Sequence, residues 1–306
     1  MKTSYQILWI DDDPNSTLED REDVEEFLEE FGIRADITFI EALDDGSIRE
    51  RIQHDLKNPE LDVLVVDYHM EGMSGDELVH LIRETDHIYL PVIFYSSSSV
   101  EEILDAVREK KLDGVYIANR RLFIEKFKDV VRSLLAKEQT SKRTRGLLME
   151  GVSEIDARFK EVFDQAWAQI SEEQRTELRQ YLNDIIAEKS TGAQRSVERF
   201  PADVETFAEH MQAAFVSKAY DTHTRWRVAS KMLNMLEHDD DERGVLKELI
   251  EKPENQGQSL NSIRNEYAHK TRAQIDVEHT KEKCVEIRRE LRRQQANMDG
   301  IIAKIV

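Results

Sequence analysis

The chain has 306 residues, of which 40% are hydrophobic and 35% are charged. This balance indicates a highly charged globular protein with room for two domains, each with its own core. No apolar run is long enough to cross a membrane, and residues 1–4 lead directly into a strand pattern, so we expect neither a membrane span nor a signal peptide. The single cysteine, Cys284, excludes an internal disulfide and fits a reducing cytoplasm.

The net charge of −20 is concentrated in the first half of the chain. Residues 1–138 contain 33 acidic and 16 basic side chains, a net of −17, whereas residues 139–306 contain 30 and 27, a net of −3. The acidic half should repel nucleic acid unless metal ions intervene, while the second half is free to bind it. This asymmetry indicates two domains with different roles.

The first half alternates between short apolar runs and segments with helical periodicity. We predict strands at residues 5–10, 33–40, 61–67, 91–95 and 115–118, and helices at residues 16–31, 47–56, 75–84, 100–111 and 122–136. Five strand–helix units with short connections predict an α/β domain built on a doubly wound parallel sheet.

Polar side chains stand where three of these strands end. Asp11 and Asp12 follow the first strand, Asp67 ends the apolar run 63–66, and Ser96 follows the fourth strand. The ends of neighbouring parallel strands meet at one edge of a sheet. Several carboxylates in one pocket repel each other unless a cation neutralises them, and oxygen ligands suit Mg²⁺. A carboxylate neutralised in this way beside a hydroxyl can accept a phosphoryl group.

Three strings in this half occur in the order of a known signalling domain. They are Ile7-Leu-Trp-Ile-Asp-Asp-Asp-Pro14, Val65-Val-Asp-Tyr-His-Met-Glu-Gly-Met-Ser-Gly75 and Pro91-Val-Ile-Phe-Tyr-Ser-Ser97. Residues 5 to about 136 thereby resemble the receiver domain of two-component response regulators. The resemblance implies a flavodoxin-like sheet with the strand order 2-1-3-4-5.

The resemblance also implies roles for individual residues. Asp67 would be the phosphoacceptor, and Asp11, Asp12 and Asp67 would hold Mg²⁺. Ser96 would hydrogen-bond the phosphoryl group, and Tyr116 would be the aromatic residue that moves when this hydroxyl is drawn inward. The donor of the phosphoryl group would be a sensor histidine kinase or a phosphotransfer protein.

Two positions depart from the pattern of the family. The family usually has Lys-Pro after the fifth strand, whereas this chain has Asn119 and Arg120. Asn119 can donate a hydrogen bond to the phosphoryl oxygens but carries no charge. Arg120 or Arg121 is the candidate to supply the charge, although a guanidinium does not superpose on an ammonium. Glu71 stands where proline is common. We therefore expect phosphorylation with an altered rate or lifetime, the alternative being a pseudo-receiver regulated without phosphorylation.

The second half is predicted to be all-α. Residues 137–147 are polar and basic and indicate a linker between a receiver domain at 1–136 and a helical domain at 148–306. Helices are predicted at residues 148–166, 171–187, from Pro201 to about residue 219, and at 222–237, 242–251, 258–271 and 276–304. The apolar seam from Leu148 to Ala166 is suited either to a homodimer interface or to the core of an intradomain bundle.

One string in the helical half carries candidate chemistry. Leu260-Asn-Ser-Ile-Arg-Asn-Glu-Tyr-Ala-His-Lys270 resembles the Arg-x4–6-His signature of HEPN domains, and part of it resembles mannitol-repressor-like helical regulators. The resemblance implies a site formed by Arg264, Asn265 and His269. An arginine can hold a phosphate oxygen while a histidine moves the proton of a ribose 2′-hydroxyl. In HEPN ribonucleases two such motifs usually meet across a dimer interface.

This spacing is loose, since Arg272 and His279 satisfy it as well. The alternative is that Arg264, Asn265 and His269 cap and pack neighbouring helices. We therefore expect a cytoplasmic response regulator with one of two outputs. One is a dimeric HEPN-like module that binds or cleaves RNA, and the other is a non-catalytic dimerisation or protein-interaction module. DNA is not an expected target, because no helix-turn-helix or strongly basic recognition helix is present.

Overall fold

The computed structural model of the chain describes residues 2–41, 60–70, 74–86, 89–97, 99–190, 209, 221–236, 240–252 and 257–305. It divides into two compact units, Met1–Thr140 with Cys284–Arg288, and Ser141–Lys283 with Arg289–Val306. The helix predicted at 47–56 and the loop position Glu71 lie outside the described residues. So does the helix predicted from Pro201, apart from residue 209.

The first unit contains five strands and four described α-helices. The strands are β1 (Ser4–Asp11), β2 (Arg34–Glu41), β3 (Leu61–Asp67), β4 (Val92–Ser96) and β5 (Val115–Asn119). The helices are α1 (Leu18–Glu30), α2 (Gly75–Asp86), α3 (Val100–Glu109) and α4 (Phe123–Glu138), and a 3-10 turn spans Arg120–Leu122. The strands form one parallel sheet with the order β2-β1-β3-β4-β5, which confirms the predicted flavodoxin-like fold.

The pleat of the sheet divides its apolar side chains between two cores, because successive residues of a strand point to opposite faces. One core joins strand residues such as Leu8, Leu64 and Phe94 to helices α2 and α3. The other joins Trp9, Tyr95 and their neighbours to helices α1 and α4. Both faces of the sheet are therefore covered, as the near-continuous apolar runs of its inner strands predict.

The strand register brings the polar strand ends to one edge of the sheet. Ile10 pairs with Val66 and Asp67 pairs with Tyr95, so Asp11, Asp67 and Tyr95 occupy one row across β1, β3 and β4. In the following row Ser96 of β4 pairs with Asn119 of β5. Side chains of one row project from the same face of the sheet. Asp11, Asp67 and Tyr95 can therefore approach one another.

Gly75, the first residue of α2, packs directly against the segment that follows Asp67. A Cβ atom at this position would lie 2.8 Å from the carbonyl oxygen of Asp67 and 3.1 Å from Cε1 of Phe94. The backbone N–H of Gly75 donates to the carbonyl oxygen of Tyr68 at 3.0 Å. The missing side chain therefore allows α2 to begin in contact with the end of β3.

The second unit is helical throughout its described residues. Its helices are α5 (Ser141–Gln169), α6 (Glu172–Ser190), α7 (Thr222–Met235), α8 (Asp240–Lys247), α9 (Leu260–His269) and α10 (Arg272–Glu278), together with α11 (Lys281–Ile305) apart from Cys284–Arg288, which are assigned to the first unit. The seam from Leu148 to Ala166 is buried, and α5 packs against α7, α9 and α10. This seam thus serves an intradomain bundle. Nowhere in the described ranges is a helix both long and apolar enough to span a bilayer.

The segment expected to be a basic linker is largely helical. Of residues 137–147, only Gln139 and Thr140 lie between helices, and the rest belong to α4 and α5. Ser141, Thr144 and Leu147 are buried, so the packed face of α5 reaches its first turn. The domain boundaries themselves stay a prediction.

The helix predicted at residues 258–271 is wrong at its end. Helix α9 stops at His269, and Thr271 starts the separate helix α10 with a capping box formed with Gln274. In this box the Thr271 side chain accepts from the N3 backbone N–H while the Gln274 side chain accepts from the backbone N–H of Thr271, so the helix start is stabilised locally. Periodicity alone did not reveal this break.

We predict that Gly75→Ala lowers the free energy of unfolding by ~1–3 kcal/mol, because the added methyl group overlaps backbone that cannot easily move. Gly146→Ala is the matched control, since a Cβ at this position in α5 would meet nothing within 4 Å. The control should be neutral or stabilise the protein by ~0.5–1 kcal/mol, as expected for glycine replaced inside a helix. Thermal unfolding of the three proteins followed by circular dichroism tests both effects, and equal midpoints for the two variants would contradict the close packing of Gly75.

Candidate functional site

Three carboxylates form a cluster at the carboxyl edge of the sheet. Asp11, Asp12 and Asp67 each offer one oxygen, and these oxygens lie within 4.8 Å of one another. Asp11 and Asp67 are buried, whereas Asp12 is half-buried. A set of hard oxygen donors with partial access to water is the environment in which proteins bind Mg²⁺. The donor set therefore fits the cation that the sequence predicts.

Burial and a neighbouring like charge both disfavour the ionised form of Asp67. Burial raises the pKa of Asp67 to about 6, and the neighbouring charge of Asp11 adds to this rise. The backbone N–H of His69 donates to Oδ1 of Asp67 at 3.2 Å and opposes it, as does the charge of Arg120. A cation bound beside Asp67 would favour the ionised form of this carboxyl group.

Asp11 is held by donors on both of its oxygens. Oδ1 accepts from the backbone N–H of Asp13 at 2.7 Å. Oδ2 accepts from the hydroxyl of Tyr95 and from Nη2 of Arg120, the latter at 2.9 Å. Burial still raises the pKa of Asp11, although these contacts oppose the rise. The carboxylate is therefore fixed in orientation while its burial disfavours its charge.

Tyr95 links Asp11 to the core of the sheet. Its hydroxyl accepts from Nε1 of Trp9 at 2.9 Å and donates to Asp11, and its ring centroid lies 5.1 Å from that of Phe123. Tyr95 was not among the site residues predicted from the sequence. The available signal was a buried tyrosine in the same row as two acidic strand ends, since a buried phenol normally requires a hydrogen-bond partner.

Arg120 supplies the positive charge nearest to Asp11. From the 3-10 turn after β5, its Nη2 donates both to Asp11 and to Oγ of Ser16, the second at 2.8 Å. Its Cζ lies 5.3 Å from the ring centroid of Tyr95. The neighbouring position Asn119 is used differently, because its Oδ1 accepts from the N–H of Arg121 at 3.0 Å and caps the turn.

The two predicted switch residues occupy different environments. Ser96 is buried at the end of β4, one residue beyond the row that contains Asp67. Tyr116 lies on β5 with 40% of its surface exposed. Ser96 thus lies at the same edge as the carboxylates, whereas Tyr116 is partly exposed to solvent.

In the helical unit, the predicted Arg264, Asn265 and His269 are not brought together. Arg264 is half-buried, and its Nη2 donates to Oδ1 of Asn261 at 3.1 Å. Asn265 and His269 are exposed, with His269 at the end of α9. Among the described residues no hydrogen bond joins Arg264 to His269.

Arg264 also lies within electrostatic reach of an ion pair between two other helices. Nη1 of Arg225 on α7 contacts Oδ2 of Asp156 on α5 at 2.6 Å, and both side chains are mostly buried. Burial raises the pKa of Asp156, and the charges of Arg225 and Arg264 oppose that rise. This environment favours the alternative in which Arg264 packs against neighbouring helices.

No family model and no curated protein matches the chain. Solved structures of similar fold include the signal receiver domain of an HD domain-containing protein from Pseudomonas fluorescens Pf-5, with 15% identity and a TM-score of 0.33, covering 44% of this chain and 97% of that chain. The receiver domain of the putative response regulator NarL from Mycobacterium tuberculosis has 21% identity and a TM-score of 0.31, covering 43% and 98%. The RcsB response regulator of Salmonella typhimurium has 17% identity and a TM-score of 0.34, covering 77% and 99%. At these values the likeness carries no functional argument.

We predict that Asp67→Asn stabilises the metal-free protein at pH 7.5, by up to about 3 kcal/mol for a pKa raised by roughly two units. A folded-state pKa above the unfolded value means that the ionised carboxyl destabilises the fold fully above pH 6. The gain in thermal midpoint should therefore shrink as the pH falls through 6 and vanish near the unfolded pKa, about 4.

Asp129→Asn, on the exposed face of α4, is the control for this prediction and should change the midpoint little at any pH. A loss of stability in Asp67→Asn at pH 7.5 would show that hydrogen bonds to the carboxylate outweigh its burial and repulsion.

Proposed function

We propose that the first unit is a receiver-type phosphoacceptor and that the chain acts as a response regulator. In this proposal Asp67 accepts a phosphoryl group from a sensor histidine kinase or a phosphotransfer protein, with Mg²⁺ held by Asp11, Asp12 and Asp67. The observation that carries it is the cluster of three carboxylates within 4.8 Å at the carboxyl edge of a parallel sheet. Phosphorylation of this unit would control the helical unit.

The chemistry assigns Asp67 the role of nucleophile. One carboxylate oxygen of Asp67 attacks phosphorus, the bond between phosphorus and the donor breaks, and the donor leaves with that electron pair. Bound Mg²⁺ would supply the positive charge that offsets the carboxylates and the phosphoryl oxygens. In this proposal Ser96, which is buried at the same edge, donates a hydrogen bond to the phosphoryl group.

Arg120 is the proposed replacement for the lysine of the family pattern. Asn119 is committed to capping the turn, whereas Arg120 places a guanidinium against Asp11. The guanidinium also influences Asp67, whose raised pKa it opposes. Because this charge comes from a different position and is carried by a guanidinium, the lifetime of the phosphoryl group should differ from that in a lysine-containing receiver.

For the helical unit we propose a non-catalytic output that acts through contacts with a partner. Arg264 donates to Asn261 of its own helix and lies within electrostatic reach of the pair Asp156–Arg225, while His269 is exposed. The seam that could have formed a homodimer interface, Leu148 to Ala166, is used inside the unit. A homodimer would therefore need a different surface.

Phosphorylation can be tested with acetyl phosphate and Mg²⁺, read as the intact mass of the protein. The wild type and Asp129→Asn should gain one phosphoryl group, while Asp67→Asn should gain none and chelation of Mg²⁺ should prevent the reaction. A phosphoryl group that still appears on Asp67→Asn, or none on the wild type, would contradict the assignment of Asp67.

If the helical unit is non-catalytic, the purified protein should leave RNA intact, with or without Mg²⁺ and acetyl phosphate. The comparison uses wild type, His269→Ala and His80→Ala, the last replacing a half-exposed histidine in the first unit. RNA cleavage that is lost in His269→Ala and retained in His80→Ala would overturn the proposal and establish a HEPN-type ribonuclease.

A further inference from the structure

The carboxylate of Asp11 already has a cationic partner from the chain itself. Nη2 of Arg120 lies 2.9 Å from Oδ2 of Asp11, which is fully buried, while one third of the Arg120 side chain is exposed. The arginine therefore reaches in from the surface to a carboxylate that has no access to solvent. Because the Arg120 side chain is partly exposed, its guanidinium can move away from Asp11 toward solvent.

The acceptor positions of Asp11 are nearly filled. An ionised carboxylate offers about four lone-pair sites, and three are used by the N–H of Asp13, the hydroxyl of Tyr95 and the guanidinium of Arg120. The first two donors are neutral and can remain beside a bound cation. The third is positively charged, so it is repelled by any cation that Asp11 ligates.

We propose that Arg120 is an internal counter-ion that competes with the divalent cation for Asp11 and is displaced from it when the cation binds. This inference rests on the proposed function, because the cation is the Mg²⁺ of the phosphoacceptor site. Arg120 thus sets the metal affinity of the site, while Tyr95, supported by Trp9, holds Asp11 in place in both states.

Displacement of Arg120 has a structural consequence in the first unit. The same Nη2 atom bridges Asp11 and Ser16, so it ties the loop after β1 to the turn after β5. Asp20 on α1 is a second acidic group within electrostatic reach, since the charge of Arg120 opposes the burial that raises the pKa of Asp20. Metal binding would therefore release this tie and leave the guanidinium near Asp20 or near a phosphoryl group on Asp67.

The test is the affinity of the full-length, metal-free protein for Mg²⁺, measured by isothermal titration calorimetry at pH 7.5 and low ionic strength. Arg120→Gln should bind Mg²⁺ about tenfold more tightly than the wild type, which corresponds to the loss of ~1.4 kcal/mol of competition. Arg120→Lys retains the charge and should bind with an affinity closer to that of the wild type. Arg108→Gln, which removes an exposed charge from α3, is the control and should leave the affinity unchanged.

Ser16→Ala provides a second variant that leaves Asp11 and Arg120 in place. It removes the other acceptor of the guanidinium and should tighten Mg²⁺ binding by a smaller factor than Arg120→Gln. Equal or weaker binding by Arg120→Gln would overturn the inference, because Arg120 would then support the metal site instead of competing for it.

The phosphorylation assay separates this failure from a failure of the proposed function. If Arg120→Gln shows no tighter binding while Asp67 still accepts a phosphoryl group, only the competition is refuted. If no protein binds Mg²⁺ and none is phosphorylated, the phosphoacceptor assignment and the inference fall together.

Discussion

The structure of the first unit depends on how it offsets the mutual repulsion among three buried or half-buried carboxylates. A parallel sheet delivers Asp11 and Asp67 to the same row, and Asp12 follows within ligand distance. Buried like charges destabilise the fold unless donors or cations surround them. In the described part of the chain a backbone N–H, a phenol and one guanidinium donate to Asp11, whereas Asp67 accepts from the backbone N–H of His69. Asp67, to which the phosphoacceptor role is assigned, is thus the carboxylate whose pKa is raised to about 6 by burial and by the charge of Asp11.

The apolar core contributes to this arrangement by fixing the donors. Trp9, Tyr95 and Phe123 pack with ring centroids 5.0–6.0 Å apart, on the face of the sheet covered by α1 and α4. Buried aromatic residues lose little further freedom when they also donate a hydrogen bond. The hydroxyl of Tyr95 is therefore held against Asp11 by packing as well as by polarity, and it links the stability of the core to the geometry of the site.

The helical unit also buries charged side chains, but there they stabilise the packing of helices. Asp156 and Arg225 form a mostly buried ion pair, and Arg264 adds a second positive charge from α9. Removing one partner of such a pair leaves an uncompensated charge, so these residues contribute to how three helices pack. A string that resembles a nuclease signature is therefore compatible with a packing role for Arg264, and His269 at the exposed end of α9 is the residue that distinguishes the two explanations.

The sequence by itself determined the strands, the fold class and the acidic strand ends, because buried parallel strands appear as continuous apolar runs and because side chains alternate along them. The order of the strands followed from the resemblance to receiver domains. Only the tertiary structure decided that Arg120 and not Asn119 approaches the carboxylates, that Tyr95 is bonded to Asp11, and that α9 ends before Thr271. These outcomes depend on how residues far apart in the chain meet and on which polar group finds a partner, and local periodicity does not contain that information.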